Sequence, residues 1–161
     1  MNVYDPQMGD YGVVKTGGFF GKLIRFGTMS RWNHAFIYVG GNKIVEANPR
    51  NVAISDVSEY PVIGWNQHEG LTQEQREKIY ANAMKTVGKP YNFLVILSIA
   101  LRILGLKIFA NNKTLHRLSQ HDGYICSELV AEAYADAGIN LFNKPADQVT
   151  PGDLAERLIY Q

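Results

Sequence analysis

The stretch HAFIYVGGNKIVEA, residues 34–47, decides the fold. Two apolar, β-rich runs flank Gly40-Gly41-Asn42, residue types that accept the positive φ angles of a tight turn, so the segment predicts a β-hairpin. Side chains alternate along a strand, which puts His34 on the same face as Phe36 and Tyr38. On the returning run, Glu46 is a charge among apolar neighbours. Pairing about the turn brings Glu46 close to His34, within one or two register steps. A charge in a half-buried strand wants a partner. His34 supplies one, and a rim salt bridge from Lys43 or Arg50 is the plainer alternative.

Working outward, GDYGVVKT (Gly9–Thr16) predicts a short strand before the hairpin, and TGGFFGKLIRFGT a short glycine-bounded helix between them. NVAISDV alternates as a further strand. LTQEQREKIYANAMKTVG places Thr72 as N-cap, Gln75 three residues on and Gly88 at the close, a helix with a capping box. Thr150 before Pro151 starts a last helix, VTPGDLAERLI. The order β-α-β-β-β, then helices, defines an α+β class with an antiparallel sheet packed against helices. With no repeat, low-complexity tract or linker, residues 1–161 read as a single domain.

Composition sets the outer limits. A chain of 161 residues, 46% hydrophobic, can bury a real core, since ~150 residues bury roughly 70% of their unfolded surface. Sixteen basic and fifteen acidic side chains give a net charge of +1, and no run of like charge asks for a nucleic-acid partner. One cysteine excludes an internal disulfide framework and a cysteine-rich zinc site. The start MNVYDPQMGDYG lacks a basic segment followed by an apolar run, so a cytoplasmic location is the default, with phage- or lysis-associated export as the alternative. The most apolar stretch, Tyr91–Ala110, is interrupted by Arg102, Gly105 and Lys107; its apolar part is nearer ~10 residues than the ~20 of a membrane span. It reads as a buried helix or as the wall of a lipid or substrate groove.

The lone thiol sits in DGYICSELVAEAYADAG, residues 122–138. A helix starting near Asp122 to Tyr124, with Asp122 as its cap, puts Cys126 in the first turn beside orphan N–H groups and the positive end of the dipole. That setting favours thiolate. Leu129, Val130 and Ala133 share its face, so on position alone a buried apolar filler is the first reading and a nucleophile the second. As a nucleophile Cys126 needs a base, and His34, at a strand start, can reach a helix N-terminus packed across the sheet. His116 and His121 fit no dependable ligand spacing, and His68 reads as a loop residue, so no metal and no cofactor is expected. Arg31 and Trp32 precede His34 at the rim of a cleft.

NHAFIYVGGNKIVEA followed much later by YICSELVAEAYADAG resembles the circularly permuted NlpC/P60 papain-like cysteine hydrolases, in particular their YiiX/YebB-like branch, with histidine first and cysteine last. GDYGVVKT, GKPYNF and TPGDL are similar to that family's first strand, mid-domain turn and closing helix start, so the resemblance runs from Gly9 to Leu154. It implies a permuted papain-like fold, with Cys126 as nucleophile, His34 as general base and Glu46 orienting His34. It also implies that Tyr124 or Tyr91 lines the pocket or polarises a carbonyl, and that the Cys126 N–H helps hold an oxyanion. The implied chemistry is attack on an amide or ester carbonyl through a thioester, with a peptide, amide or lipid substrate. Peptidoglycan-type amides are the first expectation. A lipid acyltransferase or esterase like lecithin:retinol acyltransferase, with residues 93–109 contacting a membrane surface, is the second, and a non-catalytic binding protein the third.

Overall fold

The structure, a computed structural model, describes residues 4–17, 30–66, 70–92 and 123–159. The short helix expected between the first strand and the hairpin, the apolar segment 93–109, His68, His116, His121 and Asp122 lie outside the described residues.

Five strands form one antiparallel sheet: β1 (Tyr11–Val14), β2 (His34–Gly40), β3 (Lys43–Ala47), β4 (Val52–Asp56) and β5 (Ile63–Trp65), in the order β4-β3-β2-β1-β5. The hairpin closes with Gly40 opposite Lys43, leaving Gly41 (φ 59°) and Asn42 (φ 60°) as the turn, both left-handed. Successive positive φ angles match the right-handed twist of the flanking strands. β5 is a short addition that the sequence reading does not contain, on the far edge beside β1.

Three helices are described: α1 (Gln73–Thr86), α2 (Cys126–Ala135) and α3 (Pro151–Ile159). Thr72 Oγ1 accepts from the Gln75 N–H at 3.2 Å and the Gln75 side chain accepts from the Thr72 N–H at 2.9 Å, the expected capping box. Thr150 and Asp153 close the same reciprocal pair at the start of α3. α2 departs from expectation. Its N-cap is Ile125, in extended conformation, and Cys126 is its first residue. The chain cannot coil earlier because Tyr124 is held as a strand beside Tyr91: its N–H donates to Pro90 O and its carbonyl accepts from Asn92 N–H. Glu128 closes the helix start by accepting from the Ile125 N–H at 3.2 Å.

The sheet is buried on both faces. Tyr11, Val13, Ala35, Ile37, Val45 and Ala47 pack against Ile79 and Ala83 of α1, Leu129, Val130 and Tyr134 of α2, and Leu154 of α3. Each fully buried aliphatic there contributes about 1.5–3 kcal/mol. The opposite face carries Val14, Phe36, Tyr38 and Ile44, covered by Val57, Tyr60, Ile63 and Trp65 as the chain folds back after β4. A 3₁₀ turn (Val57–Glu59), capped by Asp56 accepting from Ser58 N–H at 3.0 Å, directs that return. Gly12 is required beneath it, because a Cβ there would meet the Phe36 ring at 2.5 Å.

Candidate active site

The start of β2 and the start of α2 converge. Phe36 is the residue directly opposite Glu46 on β3, so His34, two positions away, is a diagonal neighbour on the same face. His34 Nε2 lies 2.6 Å from Glu46 Oε2, with both residues buried. Glu46 therefore pairs with His34; Lys43 goes instead to Asp56 at 3.1 Å, and Arg50 is exposed. Engagement of Nε2 leaves Nδ1 for the neighbour on the other side, and that neighbour is Cys126, hydrogen-bonded to His34. Cys126 is only 2% exposed, and as the first residue of α2 its N–H has no partner within the helix.

Burial alone would lower the pKa of His34. Hydrogen bonds to Cys126 and Glu46, and the charge on both, more than reverse this and raise it to about 10. At neutral pH the ring is then an imidazolium whose Nε2–H donates to Glu46. For Glu46, burial opposes ionisation, but the His34 contact and charge, with hydrogen bonds from Ser55 and Tyr60, hold its carboxyl below the ordinary carboxylate value. Ser55 Oγ donates to Oε1 at 2.5 Å, and Tyr60 Oη donates to Oε2 at 2.6 Å, the oxygen that also takes His34.

The sequence reading misses both donors. Ser55 was within reach of it: Ser55 sits opposite Ile44 on β4, hence diagonal to Glu46 on the same face. Tyr60 follows an irregular turn, and no periodicity points it anywhere.

The secondary candidates divide. Tyr91 packs against the cluster that contains Cys126; burial, then the charge of Cys126, push its phenol above the usual range. Tyr124 is directed elsewhere: its hydroxyl bonds Glu132 and the Lys89 ammonium lies 5.1 Å above its ring. Trp32 packs against the cluster containing Cys126, with its ring over Gly64, and Arg31 is exposed.

No protein-family model matches the chain, and no curated protein matches it in sequence. Among solved structures it is similar to the crystal structure of the metalloprotein YiiX from Escherichia coli O157:H7 (DUF1105), with a TM-score of 0.62 and 23% identity over 86% of this chain and 70% of that one. The chain thus has a YiiX-like α+β fold. No described helix is long and apolar enough to cross a membrane.

Proposed function

We propose that this chain is a cysteine hydrolase of the permuted NlpC/P60 type that cleaves an amide bond through a thioester. One observation carries the reading: a buried His34–Glu46 pair, closed at 2.6 Å, whose ring is also hydrogen-bonded to the chain's single cysteine at a helix start.

Cys126, hydrogen-bonded to the His34 ring at a helix start, is the nucleophile. In the first step the Cys126 thiolate adds to the carbonyl carbon of the amide. The resulting oxyanion lies near the Cys126 N–H, with the Tyr91 hydroxyl, which keeps its proton at neutral pH, as a second donor. Collapse expels the amine as it takes the proton from His34 Nδ1, leaving a thioester. His34, now neutral, accepts a proton from water as the water attacks, and the acid product leaves with the ion pair restored. Glu46 holds the ring and stabilises its cation throughout.

YiiX is a metalloprotein. Among the described residues no group of three or more His, Cys, Asp or Glu side chains is placed to hold a metal ion, and His34 Nε2 is committed to Glu46. The described donor set does not fit a metal.

The test is cleavage of synthetic peptidoglycan stem peptides, followed as amine release by chromatography. Cys126→Ser and His34→Ala are expected to lose activity by on the order of 10³-fold or more. Cleavage that persists in Cys126→Ser would overturn the reading.

A further inference from the structure

Tyr60 belongs to none of the strands or helices that build the pair, yet it bonds the oxygen on which the pair depends. Its hydroxyl lies 2.6 Å from Glu46 Oε2, the atom that also binds His34 Nε2. Its ring stacks on Phe36 at 5.3 Å and 20°, and lies 5.8 Å from the His34 ring. Phe36 is in turn the direct cross-strand partner of Glu46. One side chain therefore covers the carboxylate, fixes which oxygen faces the imidazole, and walls the ring from the side of the sheet away from the helices. The local sequence builds this placement: Asp56 caps the turn over Val57–Glu59, and the Tyr60 N–H closes it on Val57 O at 3.1 Å.

We infer that Tyr60 is a positioning residue of the Cys126–His34–Glu46 group: its hydroxyl holds Glu46 Oε2 against His34 Nε2, and so keeps Nδ1 aimed at the sulfur. This role rests on the hydrolase reading above. Ser55 anchors the other oxygen at 2.5 Å, so the carboxylate is held at both ends and cannot rotate to a geometry that frees the ring. The role acts through Glu46 and His34, and Tyr60 itself touches no reacting atom.

Tyr60→Phe keeps the ring stacked on Phe36 and removes only the hydroxyl. The readout is the rate of iodoacetamide alkylation at pH 6, in wild type, Tyr60→Phe, His34→Ala and the double variant, with thermal unfolding of each as a check on folding. Loss of one hydrogen bond to a charged group predicts labelling about tenfold slower in Tyr60→Phe. In the His34→Ala background the same substitution is expected to change nothing further, because its route to the sulfur is already cut. Equal rates for Tyr60→Phe and wild type, with a clear His34→Ala effect, would overturn the role of Tyr60 alone. Equal slowing by Tyr60→Phe in both backgrounds would assign Tyr60 to packing and also overturn it. Equal rates for wild type and His34→Ala would overturn the hydrolase reading beneath it.

Discussion

His34 and Glu46 meet diagonally across the β2–β3 ladder: Phe36 stands directly opposite Glu46, and the His34 ring closes on the carboxylate at 2.6 Å from two residues further along. That offset lets one face of the imidazole ring belong to the sheet while its other nitrogen turns to the helix that begins at Cys126.

The pair should show in the pH dependence of stability. His34 is raised from 6.5 to about 10, so its contribution is fully present below pH 6.5 and is lost progressively as pH rises toward 10. Glu46 is lowered from 4.5, so its contribution is present above pH 4.5 and is lost as pH falls through the depressed value. Glu46→Gln is expected to cost about 3 kcal/mol, since breaking a buried pair leaves a charge uncompensated. The Tm gap from wild type, measured across pH, should be widest between pH 4.5 and 6.5 and narrow on both sides. A gap that does not change with pH contradicts this.

Ser55→Ala removes the donor to Glu46 Oε1. Fewer hydrogen bonds to the anion raise a carboxyl pKa. The Glu46 carboxyl, followed by carbon-13 NMR, should titrate at higher pH in Ser55→Ala than in wild type. Urea unfolding should show a loss of about 1–2 kcal/mol.

Glu128 gives a slope opposite in sign to that of Glu46. Burial, opposed in part by the Ile125 N–H and aided by the charges of Glu132 and Asp147, pushes its carboxyl up to about 7. A carboxyl that binds its proton more tightly when folded loses stability as pH rises from its ordinary 4.5 toward 7. Glu128→Gln keeps an acceptor for the Ile125 N–H and removes the charge. Unfolding free energies at pH 5 and pH 8 should therefore differ less in the variant than in wild type.

Gly12→Ala tests the packing under the site. The added methyl would meet the Phe36 ring at 2.5 Å and Ile63 at 2.9 Å, so the ring that carries Tyr60 must shift. Overpacking predicts a loss of about 1–3 kcal/mol in denaturant unfolding. An unchanged midpoint would mean that this face is loosely packed.

Legibility from sequence followed local chemistry. Gly40-Gly41-Asn42 marked the hairpin because few residues accept positive φ, and Thr72 with Gln75 marked α1 because a capping box needs those side chains at that spacing. Glu46 stood out as a charge in an apolar strand, which led to His34 across the turn. The start of α2 was misplaced because Tyr124 is held extended by Tyr91, more than thirty positions earlier, a pairing that no local pattern encodes. β5 spans only Ile63–Trp65, too short for alternation to register. Tyr60 was illegible for the same reason as β5: its position depends on a turn and on the ring of Phe36, both set by tertiary packing.

The most direct test of the central claim is the alkylation rate of Cys126 by iodoacetamide at pH 6, in wild type and His34→Ala. With one cysteine in the chain, the signal has one source. Activation of Cys126 by His34 predicts rapid labelling in wild type and labelling slower by on the order of tenfold or more in His34→Ala. Equal rates in the two proteins would contradict the account and leave Cys126 as a packed residue at the head of a buried helix.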